Sequence, residues 1–189
     1  MMMKLEQTFA AVKLALVLLH PDLPERLNRA ASAEKLDKFE QETQIQLPDS
    51  IRKFYGLADG CSQEDGIFGG WVWLELDLIE NYLQELQTSL ESSCLGEEAK
   101  SLVPLFQYNG TDFLCFCQNE EGGKLYYIPG DEPAITPVAD SVKDFLEQFL
   151  ARLIAHAFIL NQYETRLGTR FSVRPPTREY WPPDFDSME

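Results

Sequence analysis

The feature that most constrains the fold is an Asn-Gly pair, Asn109-Gly110, between two apolar runs of the chain. This pair is preferred in the two-residue type I′ turn, because both positions of that turn need a left-handed backbone. The flanking residues 102–108 and 111–118 have the composition of β-strands. The sequence therefore predicts an antiparallel hairpin, which a glycine pair and a third apolar run at 124–128 extend to a meander.

The segments around the meander complete an α+β pattern. Apolar residues at five consecutive positions, 113–117, indicate a central strand that is covered on both faces. Ser32 and Ser141 are suitable N-cap residues for two helices. A short helix between them, after Pro48, is expected to end at Asp59-Gly60. We predict an α+β fold, a mainly antiparallel sheet with a central meander packed against helices. The predicted helices cover residues 5–19, 33–43, 48–59, 77–90 and 142–157, and a short apolar strand covers residues 71–74.

The two ends of the chain differ from its middle. Residues 1–24 are interpreted as an N-terminal amphipathic helix extension, residues 25–160 as one α+β domain and residues 161–189 as an extended tail. Four prolines between residues 175 and 183 exclude a continuous helix or a central strand there. The aromatic residues of the tail can either pin it to a surface groove or pack on the domain itself; they are Tyr180, Trp181 and Phe185.

The charge of the chain is strongly one-sided. It has 31 Asp and Glu residues against 16 Lys and Arg residues, a formal net charge of −15. That charge repels nucleic acids and anionic membrane surfaces, so neither is an expected partner. Residues 54–99 contain no Lys or Arg, and such an acidic block either attracts a basic protein or only keeps the surface hydrated. The acids predicted to contact a partner are Asp59, Glu64, Asp65, Glu97, Glu98, Glu120 and Glu121.

The residues that carry chemistry in enzymes are scarce in this chain. His20 and His156 are its two histidines, and neither stands in a recognisable nucleophile-base pattern, so a packing or surface role is the simpler interpretation. No glycine-rich loop has the spacing that cradles phosphate. The C-x-C pair at 115–117 falls short of a zinc site. We expect no enzymatic activity, no catalytic residue, no metal site and no cofactor.

The cysteines and the apolar N-terminal run predict the compartment. Cys61, Cys94, Cys115 and Cys117 do not form a disulfide framework for a chain of this length, so four free thiols and a reducing environment are expected. The apolar run at 14–19 is far shorter than the roughly 18 residues that span a bilayer, and no cleavage signal follows it. These features predict a cytoplasmic protein without a membrane segment.

Several short segments, in their order and spacing, carry a family resemblance. They are residues 27–32, 39–40, 47–55, 59–60, 71–74, 102–106, 109–117 and 141–146. Over roughly residues 25–155 the chain resembles the SUKH superfamily. The resemblance implies helices packed on a mainly antiparallel sheet and a role in protein binding.

Two roles follow from this resemblance. Many bacterial members are similar to immunity proteins that neutralise polymorphic toxins, often nucleases, and the partner would then be a basic toxin domain. Fungal relatives regulate cell-wall assembly, which corresponds to a regulatory adaptor whose acidity only keeps it hydrated. The sequence leaves the choice between these roles, the identity of the partner and the oligomeric state open.

Overall fold

A five-stranded antiparallel sheet lies at the centre of the computed structural model, which describes residues 3–61, 66–91, 100–120, 122–131, 134–155, 159–165 and 168–174. Its strands are β1 (Val72–Trp73), β2 (Leu102–Tyr108), β3 (Asp112–Cys117), β4 (Leu125–Ile128) and β5 (Thr136–Ala139). They lie in chain order, and each pairs antiparallel with the next. The predicted meander β2-β3-β4 and the central position of β3 are confirmed. Strand β5 was not predicted, because it is short and contains Pro137, as an edge strand can.

The turn between β2 and β3 has the predicted type I′ conformation at Asn109-Gly110, but the loop that contains it is one residue longer than predicted. Asn109 and Gly110 both have positive φ, of 51° and 85°. The N–H of Thr111 donates to the carbonyl oxygen of Tyr108 at 3.3 Å, which closes a turn of the type I′ kind. Strand pairing resumes between Tyr108 and Asp112, so the loop has three residues instead of two.

In the described part of the chain five α-helices surround the sheet, and the starts of two of them follow local sequence signals. Ser32 and Ser141 each accept a hydrogen bond at 3.1 Å from the backbone N–H three residues later, as N-cap residues do. The short third helix ends at Tyr55, earlier than predicted, and Gly60 with its φ of 76° belongs to the loop that follows. The helices are α1 (Leu5–Leu19), α2 (Ala33–Thr43), α3 (Asp49–Tyr55), α4 (Leu76–Glu91) and α5 (Val142–Ile154), with a 3-10 turn at Leu23–Arg26.

The sheet is covered on both faces because side chains alternate along β3. Leu114 and Phe116 belong to a large core with α1, α3 and α5. Phe113, Cys115 and Cys117 belong to a smaller core that the C-terminal half of α4 closes. Residues two apart on a strand are expected to share one face, and the structure confirms this for Cys115 and Cys117. Burial raises the pKa of the Cys115 thiol, as expected for a cysteine that only packs.

An aromatic cluster joins α1 to the large core. The rings of Phe54 and Trp73 stack with their centroids 3.7 Å apart, and the ring of Phe9 meets both of them edge-on. Helix α1 also packs along α5. The N-terminal helix, predicted as an extension, therefore contributes side chains to the same core as the sheet. The apolar periodicity of the predicted helix 142–157 implies that Ile154 is buried, and this prediction is wrong, because its side chain is 67% exposed.

A second, two-stranded sheet follows α5. Its antiparallel strands are β6 (Ile159–Thr165) and β7 (Gly168–Arg174), where the sequence predicted only extended chain. Residues 175–189, with the tail aromatics, lie outside the described residues, as do His156 and Cys94. Cys61, Cys115 and Cys117 are buried and carry no disulfide bond. None of the described helices has the length and apolar composition needed to cross a membrane.

Candidate protein-binding surface

One side of α4 collects exposed acids because the helix has an apolar stripe on its other side. Ile79 and Leu86 are buried. The side chains of Asp77, Glu80 and Glu85 are exposed to solvent, and the helical period places them on the side of α4 opposite these two residues. We call Asp77, Glu80 and Glu85 the acidic face of α4. Sequence reasoning placed all three in the acidic block and did not single them out, although helical periodicity was sufficient to find them.

Asp59 was predicted to contact a partner, yet the structure places it in the interior with 6% exposure. Its Oδ1 accepts a hydrogen bond of 3.0 Å from the N–H of Leu76, the first residue of α4. Its Oδ2 accepts one of 2.6 Å from the ammonium of Lys35. The carboxylate therefore satisfies an unpaired N–H at the start of α4, and its negative charge suits the positive end of the helix dipole. Asp59 stabilises the fold and is not part of an accessible surface.

Lys35 connects this buried acid to the acidic face of α4. Its ammonium lies 2.6 Å from Asp59 Oδ2 and 2.7 Å from Asp77 Oδ2, so it links α2 to the start of α4. Burial alone would lower the pKa of Lys35, but the hydrogen bonds to the two aspartates outweigh it and raise the pKa above its usual value. Asp77 is thus partly neutralised, and the uncompensated charge of the face is concentrated at Glu80 and Glu85.

Asn28 and Gly60 hold the loop that presents Asp59. The side-chain amide of Asn28 donates to the carbonyl oxygen of Asp59 at 2.9 Å, and its backbone N–H donates to that of Gly60 at 3.0 Å. A Cβ atom at Gly60 would lie 2.7 Å from the backbone nitrogen of Glu75, which is too close. The Asp-Gly pair therefore serves the start of α4: Asp59 caps the helix, and Gly60 permits the close approach of the loop backbone to Glu75.

Glu120 lies on the same side of the sheet as α4. Its carboxylate accepts a hydrogen bond of 2.7 Å from the hydroxyl of Tyr126, whose ring packs on the smaller core beneath α4. Burial, and next the hydrogen bond to Glu120, raise the pKa of Tyr126 to about 12. The other acids predicted to contact a partner lie outside the described residues; they are Glu64, Asp65, Glu97, Glu98 and Glu121.

A groove of about 530 Å³ separates α2 from α4. Its lining has an excess of negative charge, with two bases and four acids: Lys35, Lys38, Glu34, Glu42, Asp77 and Glu80. Among the described residues, no group of three or more His, Cys, Asp and Glu side chains is placed to hold a metal ion.

His20 ends α1, where its Nδ1 accepts a hydrogen bond of 3.3 Å from the N–H of Asp22. This contact shapes the turn after the helix.

Two comparisons with known proteins bear on this surface. The sequence profile of the SMI1 / KNR4 family (SUKH-1) matches residues 30–148, which run from just before α2 to the middle of α5. The match includes the Asp59 loop, the whole sheet and α4, and it begins after α1. A search of curated proteins finds no match.

Proposed function

Because the chain belongs to the SMI1 / KNR4 family (SUKH-1), we propose that it is a non-catalytic protein-binding module and, more narrowly, an immunity protein that neutralises a toxin domain with a basic surface. Family membership supports an immunity-type or regulatory-type module in general. The basic toxin, the lack of catalysis and a cytoplasmic location are the finer parts of the proposal.

The acidic face of α4 is the observation that carries the choice of a basic partner. Glu80 and Glu85 are exposed, and the chain has no Lys or Arg between residues 54 and 99. Opposite charges bring such a surface and a basic domain together faster than diffusion alone would. The toxin's nucleic-acid site, if the toxin is a nuclease, must itself be basic to hold phosphates. An acidic surface docked there excludes the substrate.

Charge attraction of this kind mainly sets the association rate, so an anchor must supply lasting affinity. Tyr82 is the best placed candidate, because it lies on α4 beside Glu85 and is only half-buried. Burial, and next the charge of Glu85, raise the pKa of Tyr82. Its phenol ring stays neutral at physiological pH and can be covered by a partner without a charge penalty. Partly exposed tyrosines are frequent hot spots of protein interfaces.

The test is capture followed by neutralisation. The full chain, immobilised, is used to capture a partner, and the captured protein is then expressed with and without this chain. We expect the partner to be basic, to be toxic when expressed alone and to be harmless when both are expressed. A non-toxic partner that belongs to a larger assembly would contradict the immunity role and favour the alternative role of a regulatory adaptor.

Charge-reversal variants then locate the docking surface. We expect Glu80→Lys/Glu85→Lys to weaken capture at low salt, and the same for reversal of Glu64, Asp65, Glu97 and Glu98 to lysine. The control matched to the double variant is Glu6→Lys/Glu25→Lys, which changes the net charge by the same amount at exposed positions outside α4. Equal loss in test and control would mean that only overall charge matters and that the acidic face of α4 is not the docking surface.

A further inference from the structure

The outer side of α1 exposes a row of apolar side chains. Leu14 is 65% exposed, Val17 is 43% exposed and Leu18 is 82% exposed. Their spacing of three and four places them on one side of the helix, opposite Phe9 and Leu16 in the core. We call Leu14, Val17 and Leu18 the apolar stripe of α1. Single exposed apolar residues are normal on a surface, whereas a contiguous row of them commonly marks a contact.

The charges around this stripe indicate which kind of segment can cover it. Between Gln7 and Leu19 the helix has one charged residue, Lys13, which is exposed beside Leu14. This is unusual in a chain with a net charge of −15. A surface that is apolar with one basic edge fits an occupant that is aromatic or aliphatic and also acidic.

The C-terminal tail of the same chain has this composition. We propose that residues 179–189 dock on the apolar stripe of α1, with the aromatic side chains on Leu14 and Leu18 and the acids towards Lys13. Residues 179–189 contain no base. They contain three aromatic residues, Tyr180, Trp181 and Phe185, and four acids, Glu179, Asp184, Asp186 and Glu189.

The tail is long enough to lie along the whole of α1. The described chain ends at Arg174 in β7, and the 15 residues after it can span at most about 50 Å. Helix α1, with 15 residues, is only about 22 Å long. Proline fixes its own φ, so Pro182 and Pro183 reduce the conformational entropy that this segment loses when it binds.

The tail is favoured over a second copy or a foreign protein for two physical reasons. A tethered segment has an effective concentration of the order of millimolar, so weak contacts suffice. A symmetric dimer through the same stripe would bring each Lys13 towards the equivalent stripe of the other copy, which supplies no acid to balance it. This inference is independent of the toxin partner, since it concerns contacts within one chain.

Trp181 provides a direct probe of the docking in the full chain. Trp71 and Trp73 are 3% and 0% exposed, so acrylamide quenching of the tryptophan fluorescence reports mainly on Trp181, and subtraction of the Trp181→Phe variant isolates its signal. We expect Trp181 to be protected in the parent. Leu14→Ser/Leu18→Ser should weaken docking more than about tenfold and make Trp181 as accessible as it is in denaturant.

The control is Asn81→Ser/Gln84→Ser, two exposed positions on α4 that should leave Trp181 protected. Equal quenching of Trp181 in the parent and in Leu14→Ser/Leu18→Ser would overturn the proposal. If the quenching of Trp181 is unchanged, two further measurements distinguish the alternatives. Sedimentation that shows self-association of the parent but not of Leu14→Ser/Leu18→Ser assigns the stripe to a second copy. Loss of toxin capture in Leu14→Ser/Leu18→Ser assigns the stripe to the toxin.

A reciprocal measurement keeps the proposal testable if the leucine variant does not fold. Trp181→Ala/Phe185→Ala changes only the tail, and the methyl resonances of Leu14 and Leu18 report on the stripe. We expect these resonances to shift in the tail variant. Unchanged methyl resonances would overturn the docking.

Discussion

Helices α1 and α4 have similar lengths and both bury one side, but their outer sides are opposite in chemistry. The acidic face of α4 consists of exposed carboxylates, and the apolar stripe of α1 consists of exposed leucine and valine side chains. Carboxylates act over about 8 Å at physiological salt, whereas apolar contacts act only when water is excluded. The two helices therefore suit different contacts, attraction of a charged partner at α4 and the proposed docking of the chain's own tail at α1.

The contrast between α1 and α4 holds only if the inner side of α1 is part of the core. Phe9 packs against Phe54 and Trp73, so Phe9→Ala should destabilise the protein by about 3–5 kcal/mol through the cavity that it leaves. Urea unfolding measures the change. Leu18→Ala, on the exposed side of the same helix, should change stability by less than about 0.5 kcal/mol. A cost below about 1 kcal/mol for Phe9→Ala would make α1 a loosely attached extension.

The contrast between α1 and α4 also depends on Asp59, which fixes the start of α4. Asp59→Ala leaves both the N–H of Leu76 and the ammonium of Lys35 without this acceptor and should cost about 2–3 kcal/mol. Asp77→Ala removes an exposed partner of the same lysine and should cost less than about 1 kcal/mol. Equal costs in urea unfolding would contradict the separation of these two acids into an interior and a surface role.

The smallest effect concerns Glu120, which the structure places on the α4 side of the sheet. Tyr126 should titrate at about 12 in a ¹³C NMR titration of the tyrosine rings. Glu120→Gln should lower this pKa, because a nearby carboxylate disfavours the phenolate, but burial should keep it above 10. Glu85→Gln is the control and should leave Tyr126 unchanged. A Tyr126 pKa that does not respond to Glu120→Gln would contradict the contact.

Local signals predicted much of the fold. The N-caps Ser32 and Ser141 and the turn at Asn109-Gly110 are encoded within a few residues, and the structure contains all three. The hairpin β6-β7 was missed because Arg166 and Leu167, which lie between its strands in sequence, are not typical turn residues.

The surface was harder to predict because it depends on distant contacts. The partners of Asp59 are Lys35 and Leu76, which lie 24 and 17 positions away, and no local pattern announces them. Helical periodicity in α1 was sufficient to assign Leu16 to the buried side, and Leu16 is buried, but periodicity does not tell what covers the opposite side, where Leu14 and Leu18 are exposed.

The association rate with a captured toxin tests the central claim most directly. In stopped-flow mixing at low ionic strength, Glu80→Lys/Glu85→Lys should associate at least about tenfold more slowly than the parent, and the gap should narrow as salt is added. The control Glu6→Lys/Glu25→Lys, with the same change of net charge, should be affected much less. If the parent and both variants associate at the same rate at low salt, the acidic face of α4 serves only hydration and the proposed docking surface is wrong.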